Sequence, residues 1–133
     1  MTRIVTDTSV LIAVLTNEPT KAQILRLTMD AELLAPSSVD IEIGNAFSRM
    51  LKRKRIDVES AMEALRAYAG IAMEIADIDL ESAIRLAHEL DIYAYDAYFI
   101  DCARKAGASL ISLDAGLLEA CRRAKVDFIE VKP

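Results

Sequence analysis

At 133 residues, 53% of them hydrophobic, the chain is long enough to bury one core and too short for two independent ones, so residues 1–133 are expected to form a single domain. Its apolar residues are spread out, with no uninterrupted run of the ~18 that a membrane span needs. The opening stretch Met1–Asp7 lacks the basic and apolar regions of a signal peptide, so a cytoplasmic protein is expected, with no membrane partner.

The net charge of −5 comes from 16 Lys and Arg against 21 Asp and Glu, which argues against general affinity for nucleic acid. If four of those acids form one cation-binding site, 17 acids stand against 16 bases, and RNA is not excluded. Cys102 and Cys121 lack CxxC spacing and read as small core residues. The single histidine, His88, has no partner at ligand spacing, so zinc is disfavoured.

Arg3–Thr6 alternates around β-branched residues and ends at Asp7, after which Thr8-Ser9 can cap a helix through Leu15. Asn17-Glu18-Pro19 breaks the pattern. Thr20 then caps a second helix to about Met29, with Ala22, Ile24, Leu25 and Leu27 as its apolar contacts, and a short strand spans Glu32 to Ala35. Pro36-Ser37-Ser38 opens a long helix to about Lys54 with the stripe Val39, Ile43, Ala46, Phe47 and Met50. Asp57 caps a helix toward Met73, followed by a strand from Glu74 to Asp77. The next helix, Asp79 to Leu90, has Leu80, Ala83, Ile84 and Ala87 in phase. Asp96 opens an apolar helix to Ala106 that Gly107 stops. Ser109–Leu113 reads as a buried strand ending at Asp114, Leu117–Ala124 as a helix and Asp127–Val131 as a last strand.

Short strands alternating with helices predict an α/β sandwich, a mainly parallel central sheet flanked by helices, with ligands beyond the strands' carboxyl ends. Asp7 and Asp114 fall there. Each could also be an N-cap. Asp96, at the start of a mostly apolar helix, would aim its charge inward, while Asp101 falls on another face and is expected to be solvated or paired. Glu42 and Asp40 flank the stripe of their helix on opposite sides, and at about 100° per residue periodicity does not choose between them. Close carboxylates in a cleft must take up protons or bind a hard divalent cation, and oxygen-only ligation favours Mg²⁺ or Mn²⁺. Lys52-Arg53-Lys54-Arg55 ends the Glu42 helix. Lys52 and Arg53 are candidate RNA contacts, although last-turn cations also complement a helix dipole.

Val5-Thr6-Asp7-Thr8-Ser9, Pro36 through Phe47, Tyr95-Asp96-Ala97 and Leu110-Ile111-Ser112-Leu113-Asp114 together resemble the PIN-domain family, specifically its VapC-type toxins, across essentially the whole chain. The resemblance implies a PIN-like fold and a Mg²⁺- or Mn²⁺-dependent endoribonuclease leaving a 5′ phosphate and a 3′ hydroxyl. It also implies pairing with a small antitoxin protein in a toxin–antitoxin system, and a homodimer. It selects Glu42 over Asp40, carries metal and catalytic roles onto Asp7, Glu42, Asp96 and Asp114, and gives Ser9 and Ser112 supporting hydrogen bonds. Where the family more commonly has Thr, Ser112 keeps a hydroxyl. No further acid adjoins Asp114, where some members carry one, so a second metal site is expected to be weak or to fill only with substrate.

Two rivals lack a needed residue. A receiver-type phosphorylation module needs adjacent acids after the first strand, where Thr8 follows Asp7, and a HAD-type phosphatase needs an acid where Ser9 stands. A third, an inactive PIN-like scaffold that binds RNA or protein without cutting, conflicts only with the presence of all four acids.

Overall fold

The computed structural model describes residues 2–133. Among them the elements run β1 (Arg3–Thr6), α1 (Thr8–Leu15), α2 (Lys21–Thr28), β2 (Glu32–Pro36), α3 (Val39–Lys52), α4 (Val58–Ala69) and β3 (Met73–Ala76). They continue with α5 (Leu80–Leu90), α6 (Ala94–Ala106), β4 (Ser109–Ser112), α7 (Ala115–Ala124) and β5 (Phe128–Glu130). The five strands form one sheet in the order β3-β2-β1-β4-β5, with every pairing parallel, so the expected sandwich has a wholly parallel sheet.

Strand alternation divides the core. Val5 pairs in register with Leu34 and Leu110, and all three join a cluster with Ile43 and Phe47 of α3, Phe99 and Ile100 of α6 and Leu117 of α7. Ile4 and Ile111 point the other way, into a smaller cluster with Val10 and Ala13 of α1 and Ile24 of α2. Both faces are covered, so the middles of the central strands, Ile4-Val5, Leu34-Ala35 and Leu110-Ile111, are apolar and buried on both sides.

Several expected boundaries move for local reasons. Asp7, in extended conformation, caps α1 by accepting the Val10 N–H, which leaves Thr8 and Ser9 inside the first turn. Thr20 makes no capping bond, and its buried hydroxyl finds no partner among the described residues. Pro36 ends β2 instead of opening a helix. Asp57 and Asp79 do cap α4 and α5 through the Ser60 and Ser82 N–H groups, and Gly107 ends α6 at φ 62°, in the left-handed region where a Cβ is costly. On α2 only Ile24 is buried, with Leu25, Leu27 and Met29 exposed. On α5 the buried face is Ala83, Leu86 and Leu90, and Leu80 and Ile84 face outward. Cys121 is buried, Cys102 half-buried and His88 exposed.

Asp101 is paired and also buried. It accepts from Ser82 Oγ (3.0 Å) and Arg104 (2.8 Å), and Lys105 Nζ lies 3.5 Å away, so it stitches α6 to α5.

Leu110 is fully buried at the centre of the sheet, whereas Ile75 on the edge strand β3 is 46% exposed. Leu110→Ala is expected to cost about 2–5 kcal/mol in urea unfolding followed by circular dichroism. Ile75→Ala should fall within about 1 kcal/mol of the parent, and equal losses would contradict this placement of the core.

Candidate functional site

The chain leaves β1 for β2 on one side and later returns as β4 on the other. This reversal opens a crevice beyond the carboxyl ends of β1 and β4, the place where doubly wound sheets bind ligands. Asp7 directly follows β1, and Asp114 follows β4 after one residue. Glu42 lies in the first turn of α3 behind β2, and Asp96 in the first turn of α6.

Asp7 is 5% exposed. Its Oδ1 accepts from the Val10 N–H (3.0 Å) and the Ser9 hydroxyl (2.8 Å), and its Oδ2 accepts from the Ser112 hydroxyl (2.5 Å). Both serines are themselves held: Ser112 Oγ accepts the Asp114 N–H (2.8 Å), and Ser9 Oγ accepts the Leu113 N–H (3.2 Å). Burial raises the Asp7 pKa, and the three hydrogen bonds oppose that rise while the Asp114 charge adds to it. The supporting roles expected of Ser9 and Ser112 are thus hydrogen bonds to Asp7 itself.

Glu42 accepts from two hydroxyls that sequence reasoning overlooked, Thr8 to Oε1 (3.3 Å) and Ser38 to Oε2 (3.1 Å). The signal was present: Ser38 stands four residues before Glu42, one turn along the same face. Burial pushes Glu42 up to about 7, and the charges of Asp7 and Asp96 contribute. Asp40, on the opposite flank, goes elsewhere and accepts the Tyr68 hydroxyl at 2.5 Å.

Asp96 differs from its expected position. Helix α6 begins two residues earlier, because Ala94 and Tyr95 continue the helix and the Tyr93 carbonyl accepts the Ala97 N–H. Asp96 therefore caps nothing, and its carboxylate is left for the crevice. Burial raises its pKa, followed by the Asp114 charge. Asp114 is exposed and caps α7 through the Gly116 (2.9 Å) and Leu117 (3.2 Å) N–H groups. A Cβ on Gly116 would lie 3.3 Å from that carboxylate, so glycine leaves it room.

The repulsions form a closed ring: Glu42 feels Asp7 and Asp96, and Asp114 acts on both Asp7 and Asp96. The ion pairs among the described residues use Arg3, Arg85, Arg104, Lys105 and Arg122, and none reaches this ring. Nor do any three acids among the described residues already converge into a coordination shell. The four sense one another's charge without yet closing on a common point. The donor set itself, four anionic oxygens-only side chains with no internal counter-charge, fits a hard divalent cation. Lys52 and Arg53 lie at the far end of α3, about three turns and ~15 Å from Glu42 along the axis, so the structure does not bring them into the ring.

A search by sequence among curated proteins finds no match. Solved structures give the fold clearly. A Pyrobaculum aerophilum protein, PAE2754, is 21% identical with a TM-score of 0.75 over 98% of this chain and 91% of its own. VapBC2 of Rickettsia felis, bound to a DNA fragment from its promoter, is 15% identical with a TM-score of 0.72 over 98% of this chain and 99% of its own. VapC20 of Mycobacterium tuberculosis, described as a sarcin–ricin loop cleaving toxin, is 17% identical with a TM-score of 0.66 over 98% and 99%. The sequence profile of the PIN domain matches residues 4–123, a span that contains all four acids of the ring, and the chain belongs to the PIN domain family.

Proposed function

We propose that this protein is a Mg²⁺- or Mn²⁺-dependent endoribonuclease, hydrolysing RNA phosphodiester bonds, and the toxin of a toxin–antitoxin pair. The observation that carries this reading is the ring of Asp7, Glu42, Asp96 and Asp114 at the sheet's switch point, with no cationic partner among the described residues. These four side chains would hold the cation. Such an ion supplies the charge that polarises a phosphate and brings the pKa of water toward neutrality.

The chain's own part is to orient the acids beforehand. Ser9, Ser112 and the Val10 N–H fix Asp7 in one rotamer and leave it about one lone-pair direction free of the roughly four a carboxylate offers. Thr8 and Ser38 likewise orient Glu42 and leave it about two. Neutral hydroxyls orient these carboxylates without neutralising them, as an arginine partner would.

The likeness to VapBC complexes and to a sarcin–ricin loop cleaving toxin supports an RNA substrate and an antitoxin protein as partners. Leu25 and Leu27, exposed on α2, and Met29 at its C-cap are apolar side chains left open to solvent, which supports a homodimer. Among the described residues no helix is long and apolar enough to cross a membrane, and the proposed reading is of an enzyme that meets cellular RNA in the cytoplasm. Two core clusters backing one sheet support reading residues 1–133 as a single PIN-like domain.

Purified protein with Mn²⁺ is expected to cleave a mixed RNA pool, and EDTA to abolish cleavage. Asp7→Asn or Asp96→Asn should each lower kcat by roughly a hundred-fold or more. Intact cleavage in both variants would overturn the proposal, and no cleavage by the parent would favour the non-cutting scaffold.

The metal-free protein carries a separate expectation. Glu42 holds its proton more tightly folded, at about 7, than at its ordinary value of 4.5. The stability this contributes is full below pH 4.5 and lost as pH rises through 7. In EDTA, Tm should therefore fall across that interval, and Glu42→Gln should flatten the fall. An identical pH profile in the variant would reject a buried Glu42 charge.

A further inference from the structure

Helix α3 carries more of the candidate site than its first turn. Glu42, Ala46, Arg49 and Arg53 are spaced four, three and four residues apart, which aligns them on one face. The same face meets α1, whose Thr8 donates to Glu42. One turn beyond Thr8, Ile12 joins Ala46, Arg49, Met50, Arg53 and Arg55 in lining a cavity of about 150 Å³. The three arginines are exposed, and none makes an ion pair among the described residues. Lys52 is turned about 100° from Arg53 and leaves this face.

Complementing the helix dipole accounts for cations anywhere in a last turn. It does not account for their alignment with Glu42, nor for Arg55, which lies beyond the helix and still turns to the same cavity. Guanidinium groups match phosphate with a planar fork of donors, which ammonium groups lack. At 1.5 Å per residue, Arg49 stands roughly 10 Å and Arg53 roughly 16 Å from Glu42 along the axis, a reach of a few nucleotides.

We infer that the α1–α3 seam is a phosphate-binding track, in which Arg49, Arg53 and Arg55 hold the backbone of single-stranded RNA as it leaves the acid ring. The inference rests on the ribonuclease reading for what lies at the ring, but it is tested by binding, which needs no cleavage. A fluorescently labelled single-stranded RNA of mixed sequence is titrated in EDTA over a salt series and read by anisotropy. The paired variant Arg49→Gln with Arg53→Gln should reduce the slope of log affinity against log salt by about 1.4, from about 0.7 per phosphate contact on a single strand. The Arg49→Lys with Arg53→Lys pair keeps the charge and should retain most of that slope while binding more weakly. Lys52→Gln should leave the slope as in the parent. Thermal melts confirm that these surface variants fold.

An unchanged slope in the glutamine pair, or an equal loss in Lys52→Gln, overturns the track even where the parent cleaves RNA. An arginine-dependent slope in a parent that never cleaves RNA upholds the track and removes the ribonuclease reading. If the parent binds no RNA and the arginines instead govern capture of an acidic peptide, the seam is a protein-docking groove and the inference fails.

Discussion

Asp7 is almost sealed from water, so its carboxylate must find its partners inside the protein, and they come from both sides of the sheet's reversal. Val10 and Ser9 belong to the helix that follows β1, and Ser112 to the end of β4, 105 residues along the chain. Hydrogen bonds to a charged group contribute about 1.5–3 kcal/mol each, whereas an unpaired buried carboxylate would lose several kcal/mol to desolvation. The network therefore exists to make one buried charge tolerable. In doing so it fixes the two strand ends that frame the crevice, and Ser112 in turn orients the backbone of Asp114. The cap, the strand register and the site geometry are one set of bonds.

That economy dissolves the opposition between capping and chemistry. Asp7 and Asp114 are both caps and both members of the ring. A cap uses one carboxylate oxygen for backbone N–H groups and so aims the other, which is how a helix terminus can present a charge without a rigid loop. Asp96 and Glu42 reach the ring differently. Neither caps its helix, and both sit within a first turn, where the positive end of the dipole favours a negative charge. Burial and mutual repulsion still push their pKa values up, so the dipole lessens the electrostatic cost without removing it.

How much of this the sequence disclosed follows from which periodicity governs each residue. Period-two alternation with a turn at the strand end is unambiguous, and it located Asp7 and Asp114 at the crevice. Helical periodicity located the α3 core stripe but placed Asp40 and Glu42 symmetrically about it. Their difference is tertiary: Asp40 meets Tyr68 of α4, and Glu42 meets Thr8 of α1. Thr8 and Ser38 were hidden because a hydroxyl near a helix start reads as a cap, whereas Asp7 caps α1 and Ser38 makes no capping bond to α3. The two extra residues at the start of α6 escaped for a related reason, since Asp96 looked like the first residue to begin a helix when Ala94 and Tyr95 already could.

The basic cluster shows the same limit from the other side. Lys52-Arg53-Lys54-Arg55 is conspicuous as a run, but a run in sequence fans out around a helix and over its end, so adjacency is a poor guide to a shared surface. Arg49, outside the run, shares the face of Glu42, while Lys52, inside it, does not. Helix α3 thus has acids in its first turn and, in its last, cations that form no ion pair among the described residues, an arrangement that its own dipole favours at both ends. The resulting gradient spans the α1–α3 seam, from a place suited to a divalent cation to a place suited to phosphates. A net charge of −5 conceals this gradient, because the acids that dominate the sum are concentrated where a cation would offset them. For a PIN domain of this size, the arrangement of charge along one helix says more about which ligands its surface suits than the total does.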